Sequence, residues 1–521
     1  MHDRYYADMG SIAFSLLHPE QRSTAPYEPA ETPAFFTDLN LGRVIESVTT
    51  GKDEYALAPF FHLPLQDIES VCYRQAVMCD LEQPALYQAV TAFAERLRTM
   101  RIHLVQEEDC RDLHQKQAEF LCATETYCEA VRTLRQDLQG LTLVSRGFLA
   151  LQEHMERYIA SEPFQTLVAE MKAIRSGLLA IRYCVHIRGD TCTVFRYQGE
   201  DDYSATVTAT FKKFRQGAVK DYRTQFHASP DINHVEAQVL EFVARLFPEC
   251  FQRLDRFCQR HHDYLDQTLT VFDREVQFYI AYLNHMNTLR CQGLKFCYPR
   301  VVCTHKTIFV RNGYDLALAD KLLKEGGTVV CNDFRLEGQE RIFIVSGPNQ
   351  GGKTTFARMF GQLHYLASLG LPVPGDEACL FLHDRLFTHF EREESIRNLH
   401  GKLEDDLLRI HSILQAATPD SLIIMNEIFA STTLQDAVFL STRILNSIVR
   451  LGSLCVCVTF IDELVQLSDT MVSMVSTITP GAPLQRTYKV VRRPADGNAH
   501  ALSIVRKYRL GAQELEERLP S

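Results

Sequence analysis

Between Arg341 and Leu369 the chain changes periodicity across a short glycine-rich turn. Arg341-Ile-Phe-Ile-Val-Ser346 is the apolar run of a strand buried on both faces, and Phe356 to Leu369 is helical text. Gly347-Pro348-Asn349-Gln350-Gly351-Gly352-Lys353-Thr354-Thr355 joins them. The spacing is G-x-x-x-x-G-K-[ST] in the strand, loop, helix context that the pattern requires. Glycines let backbone N–H groups close around an anion, and the following helix N-terminus adds a positive partial charge. Lys353 then reaches the β and γ phosphates and Thr354 can ligate Mg²⁺, so Gly347 to Thr355 predicts a nucleotide site for ATP with Mg²⁺.

A site that hydrolyses a phosphate bond needs a second strand bearing carboxylates, one steadying the metal and one orienting the attacking water. Ser421-Leu-Ile-Ile-Met-Asn426-Glu427 is an apolar strand ending in a polar pair. Glu427 is the expected catalytic base, beside Lys353, and Asn426 falls on the metal side with Thr354. A neutral amide cannot give Mg²⁺ the charge interaction of a carboxylate, so metal affinity or turnover is expected to suffer. Ser453-Leu-Cys-Val-Cys-Val-Thr459, ending before Asp462 and Glu463, predicts another parallel strand with polar groups at its C-terminal edge.

At 521 residues the chain exceeds a single core, so several domains are expected. Its 46% hydrophobic and 23% charged content is that of a folded globular protein. Residues 1–35, with Pro19, Pro26, Pro29 and Pro33, predict an N-terminal arm of little structure. Residues 36–294 are chiefly helical. They are interrupted near 183–226 by β-branched, alternating text that predicts a small β insertion. It ends in Lys212, Lys213, Arg215, Lys220 and Arg223, interleaved with Phe211, Phe214 and Tyr222. That pattern suits either a phosphate backbone or a solvated basic face. Residues 295–521 alternate strands and helices, predicting an α/β domain with a largely parallel sheet, and close on a helix near 511–519 for dimerisation or packing.

No apolar run of about 18 residues occurs, and Met1 to Asp8 lack the apolar stretch of a signal peptide, so a cytoplasmic protein without a membrane partner is expected. The 16 Cys are scattered, many in apolar segments, and read as reduced core residues. Cys258, His261 and His262 lack zinc-site spacing. With a net charge of -10, any binding to nucleic acid requires a local basic surface.

Taken in order, these segments resemble the MutS family of DNA mismatch-repair ATPases. The resemblance rests on Gly347-Pro-Asn-Gln-Gly-Gly-Lys-Thr-Thr355, the approach segment Cys331-Asn-Asp-Phe-Arg-Leu336, the stretch Glu404 to Glu427, and Ser431-Thr-Thr-Leu-Gln-Asp436. It extends more weakly to Asp38-Leu-Asn-Leu41 and Phe60 to Glu82. It implies an ABC-type P-loop ATPase that dimerises around its nucleotides. It also implies a helical lever joined to a clamp on duplex or branched DNA, with the β insertion as clamp tip.

Several residues depart from the family pattern. Asn426 stands for the Walker B aspartate, Phe460 for a histidine, and Phe429-Ala430 for a Gly-Arg pair. Residues 398–403 lack the usual serine-containing element. A mismatch-reading N-terminal domain with a Phe-x-Glu wedge is not expected from these residues; Phe247-Pro248-Glu249 has the letters but reads as helical core. Fast hydrolysis is therefore not expected. Two further readings stay open: a nucleotide-gated dimerisation scaffold with negligible hydrolysis, and an ATPase acting on a protein partner.

Overall fold

The computed structural model describes residues 12–19, 32–189, 191–200, 206, 210, 234–391, 401–429, 432–479 and 482–494. These fall into two compact units. One takes the described parts of Met1–Gln83, Leu143–Ala150 and Gln267–Ser521, and the other takes those of Pro84–Thr142 and Leu151–Asp266.

The first unit begins with helices α1 (Leu41–Thr49), α2 (Ile68–Leu81) and α3 (Gln267–Arg290). There follow β1 (Arg300–Val302), β2 (Ile308–Gly313), α4 (Leu316–Lys324), β3 (Asn332–Leu336), β4 (Ile342–Ser346) and α5 (Lys353–Ser368). Next come β5 (Glu377–Phe381), β6 (Leu386–Phe390), α6 (Lys402–Ala416), β7 (Leu422–Asn426), α7 (Leu434–Leu451), β8 (Leu454–Val458), β9 (Met471–Thr479) and β10 (Ala482–Arg492).

Six strands form one sheet in the order β6-β7-β8-β4-β9-β10, parallel throughout except for the final antiparallel pair. Every residue of β4, β7 and β8 is buried, as continuous apolar text requires of strands covered on both faces. Alternation divides them: Ile342, Ile344, Ile423, Met425, Cys455 and Cys457 pack with Ile410 of α6 and Leu445 and Ile448 of α7. The other face carries α5. Phe343 of β4 meets Phe356 and Phe360 of α5 at centroid distances of 6.2 and 5.9 Å, and Phe334 of β3 meets Phe360 at 5.0 Å. Residues 38 and 39 hold α5 from outside, where Arg358 Nε donates to Asp38 O (2.9 Å) and Gln362 Nε2 to Leu39 O (2.8 Å). A second sheet runs β1-β5-β2-β3.

Residues 12–17 depart from the expectation of a loose arm. They lack regular secondary structure, yet Ile12, Phe14, Leu16 and Leu17 are buried. Their backbone is held by side chains: Glu275 of α3 accepts from Ser15 Oγ (2.7 Å) and Leu16 N (2.6 Å), Tyr279 donates to Leu16 O (2.6 Å), and Arg74 Nε to Leu17 O (3.0 Å). Nearby prolines signal looseness locally, but the binding groups come from distant helices.

The second unit is built on two 26-residue helices, Pro84–Asp109 and Leu113–Leu138. The β insertion expected over 183–226 is, among the described residues, an antiparallel hairpin pairing Tyr183–Arg188 with Thr191–Arg196. Lys212, Lys213, Arg215, Lys220 and Arg223 lie outside the described residues, as does the helix expected near 511–519. Phe247-Pro248-Glu249 is not helical core. It marks the break between helices His234–Leu246 and Pro248–Arg260, with Pro248 and Glu249 exposed, because a residue without an N–H suits a first helical turn and not an interior.

Candidate active site

The register places the C-terminal ends of the parallel strands in one row. Phe390 pairs with Asn426, Asn426 with Val458, Val458 with Val345 and Val345 with Met474. The glycine-rich loop leaves this edge at Ser346 and enters α5 at Lys353, the edge at which ligands collect in open α/β sheets.

Two glycines permit that turn. Gly352 has φ 93°, left-handed backbone that few other residues adopt. A Cβ on Gly351 would overlap Ser476 Oγ and approach Pro348 O to 2.9 Å. In the absence of that Cβ, Ser476 Oγ donates to Gly351 O (2.7 Å), fastening the loop to β9. Lys353 is 5% exposed, and its ammonium donates to Gly347 O (3.0 Å), Pro348 O (3.2 Å) and Asn349 Oδ1 (3.4 Å). Burial lowers the Lys353 pKa, the Glu427 carboxylate raises it, and the Arg486 guanidinium lowers it again.

On β7, Asn426 is 8% exposed, and Thr354 Oγ1 donates to its Oδ1 at 2.9 Å. Both oxygens are neutral. Glu427 follows in left-handed backbone (φ 52°), with its N–H donating to Val458 O (2.9 Å).

Lys353, Thr354, Thr355, Gln350, Gly351, Gly352, Glu427 and Asp315 are among the residues that line a cavity of about 440 Å³. Leu318, Leu322, Val329 and Val330 line its apolar part, together with Tyr488 of β10. Three of its lining residues, Gln350 (φ 59°), Glu427 and Tyr488 (φ 57°), are non-glycine residues in left-handed backbone, strain that collects at functional sites. A cavity lined by the loop, one ammonium and several apolar side chains has room for an anionic chain carrying a flat ring. The donor set for a divalent cation fits less well. The two expected ligands are uncharged and bonded to each other, and the described residues contain no group of three or more His, Cys, Asp or Glu able to hold a metal ion. A larger groove of about 720 Å³ runs between β3 and β10, where Arg311 pairs with Glu377 (3.1 Å) and Arg492 with Glu340.

Ser476, Arg486 and Tyr488 escape the sequence reading because β9 and β10 reach the loop only through sheet pairing. Asn332 carried a signal in the approach segment: its Oδ1 accepts from Val490 N (2.7 Å) and its Nδ2 donates to Tyr488 O (3.2 Å), so its amide ties β10 to β3. Phe460 is 53% exposed beyond β8 and does not line the cavity. Phe429 (φ 60°) is fully buried in the core beneath α7, while Ala430 and residues 398–400 lie outside the described set.

Residues 343–500 match the model of MutS domain V. The chain is 32% identical over 206 residues to an Endonuclease MutS2 from Gemmatimonas aurantiaca, covering 38% of this chain and 25% of that protein. It is 22% identical over 242 residues to the DNA mismatch repair protein MutS of Thermotoga maritima (46% and 29%). It is 24% identical over 271 residues to the DNA mismatch repair protein MSH3 of Kluyveromyces lactis (49% and 26%). The chain thus spans 25 to 29% of the length of these relatives. No helix among the described residues is long and apolar enough to cross a membrane. Residues 343–500, which carry the strand ends and the loop, are thus a domain of the MutS family.

Proposed function

We propose that this chain binds ATP in the cavity above β4 and β7 and uses the nucleotide to control a grip on DNA, with slow hydrolysis. The observation that carries the reading is that Lys353 and Thr354 of the loop and Glu427, far from them in the sequence, line a single cavity together with apolar side chains. The loop amides and the N-terminus of α5 would receive the phosphates, and the Lys353 ammonium would exchange its loop carbonyls for phosphate oxygens. The base would lie against Val329, Val330 and Tyr488. Glu427 would accept a hydrogen bond from the attacking water and orient it. Gly347, Pro348, Asn349 and Thr355 complete the proposed nucleotide contacts. Thr354 and Asn426, the residues that would hold Mg²⁺, are uncharged and bonded to each other, a poor donor set for that ion.

Relatives named for DNA mismatch repair support DNA as partner, duplex or branched. The long helices of the second unit would serve as lever and clamp, with Lys212, Lys213, Arg215, Lys220 and Arg223 as phosphate contacts and a homodimer as the working form. The decisive experiment combines ATP titration and turnover with DNA anisotropy at two salt concentrations. DNA-stimulated turnover and a steep loss of duplex binding with salt support the reading, and salt-independent or absent DNA binding rejects its DNA half. One observation favours a second reading. The amide at Asn426 suits a scaffold that binds ATP as a dimerisation switch and hardly hydrolyses it, which ATP-dependent dimerisation without phosphate release would establish.

A further inference from the structure

The charged side chains that line the cavity are one ammonium, Lys353, and two carboxylates, Glu427 and Asp315. Glu427 follows Asn426, which accepts from Thr354 of the loop. Asp315 belongs to a different wall. It caps the N-terminus of α4, and Leu318 and Leu322, three and seven residues on, line the cavity with it, so one face of that helix forms the wall.

Asp315 is 5% exposed, and its Oδ1 accepts from Leu318 N (3.1 Å) and Gln362 Nε2 (2.8 Å). Burial raises its pKa, whereas the Gln362 side chain, the Leu318 amide, the Arg358 guanidinium and the Ala317 amide favour the anion. An ionised carboxylate has about four lone-pair sites and no proton to give. Leu318, Gln362 and Ala317 supply three donors, which leaves room for one more from the cavity.

That donor does not come from a phosphate, which carries the same sign of charge and is drawn instead to Lys353 and the loop amides. Gln362, which holds Asp315, also lies nine residues beyond Lys353 on α5, about 14 Å along the helix axis from the phosphate-receiving turn. The nucleoside therefore faces Asp315, and Leu318 and Leu322 beside it suit a flat ring better than a hydrated ribose. Away from the loop, the Asn332 amide is spent on Tyr488 O and Val490 N, and the Thr328 hydroxyl both donates and accepts, so it cannot tell an amine from a carbonyl. A carboxylate can: adenine carries N–H donors at its 6-position, and guanine carries an oxygen acceptor there.

We infer that Asp315 accepts a hydrogen bond from the 6-amino group of adenine and so makes the cavity selective for ATP over nucleotides lacking that amine. The inference rests on the nucleotide reading above and names the base-reading residue of the same site.

The test is calorimetric titration of the full chain, in magnesium chloride, with ATP, GTP, purine riboside triphosphate, and 2′-deoxy- and 3′-deoxy-ATP. Wild type should bind ATP about tenfold or more tightly than GTP or the purine riboside, and each deoxy nucleotide within about threefold of ATP. Asp315→Asn keeps a capping oxygen for Leu318 N and Gln362 Nε2 and leaves its NH₂ for the base, so the preference should shrink to about threefold or reverse toward GTP. Thermal melts report folding, and if the variant does not fold the wild-type series decides. GTP or purine riboside triphosphate bound by wild type as tightly as ATP, or a tenfold preference kept by folded Asp315→Asn, overturns the inference and leaves the nucleotide site standing. A tenfold loss with either deoxy nucleotide and none with the purine riboside places the bond on the ribose and likewise overturns it. Absence of binding by every nucleotide overturns the nucleotide reading and this inference with it.

Discussion

Ser476 Oγ donates to the Gly351 carbonyl at 2.7 Å, a bond across 125 residues that fixes the glycine-rich loop to the fifth strand of the sheet. The loop conformation is thus partly imposed from β9. Ser476→Ala should cost about 1–2 kcal/mol of stability through the unpaired buried carbonyl and weaken ATP binding severalfold. Gly351→Ala should be more damaging, and Ser476→Gly should rescue it in part by removing the overlapped hydroxyl. Equal loss in the double variant would show that Pro348 O, and not Ser476, limits the space.

Lys353 and Glu427 line the same cavity but are expected to fail differently. Lys353→Ala should abolish the heat of ATP association. Glu427→Gln should leave affinity within about twofold and lower turnover by about a hundredfold or more. Undiminished phosphate release in Glu427→Gln would remove it from the role of base.

Glu275 predicts a pH effect on stability. Burial pushes its pKa up to about 7 from 4.5, although the Ser15 hydroxyl and the Leu16 and Leu17 amides favour the anion. The folded chain therefore holds this proton more tightly than the unfolded chain. The contribution is complete below the unfolded value and is lost as pH rises through 7, amounting to about 3 kcal/mol at most. Melting temperature should fall from about pH 5 to about pH 8, and Glu275→Gln should flatten that slope.

The buried N-terminal segment predicts a deletion phenotype. Leu16 and Leu17 are fully buried, so Leu16→Ala should destabilise by about 2–5 kcal/mol. Removing residues 1–18 should cost more than this single substitution, measured by denaturant unfolding. A truncated chain of wild-type stability would show that the segment binds without contributing.

Thiol reactivity should separate the cysteines. Cys72, Cys291 and Cys303 are exposed, whereas Cys455 and Cys457 are fully buried in β8, and burial pushes the Cys457 thiol up to about 12. Titration with an aromatic disulfide should modify the first group in the native state and the second only after unfolding.

How much of this was legible in the sequence follows the distance over which each contact acts. The strand, loop and helix around Lys353 are written in consecutive residues, and so are the buried parallel strands ending at Asn426 and Val458. Ser476, Arg486 and Tyr488 were not, because no local pattern says which strand will lie beside which. Residues 12–17 escape a local reading for a similar reason: Ile12, Phe14 and Leu16 alternate as a buried segment would, but the carboxylate that accepts from Ser15 Oγ lies 260 residues away. Phe429 shows the limit of pattern matching. The resemblance marks a position where the family has glycine, and the backbone is left-handed there (φ 60°), yet this chain places a ring in the core at that position.

The unit that carries the loop is assembled from three separate stretches of chain, with the whole of the other unit's sequence emerging between them. During synthesis, therefore, Ile12 to Leu17 leave the ribosome long before Glu275, and the loop at Gly351 before Ser476. The nascent protein must carry apolar, unpaired segments until its last strands arrive. Chaperone demand should accordingly peak late in translation, near the emergence of β9 and β10.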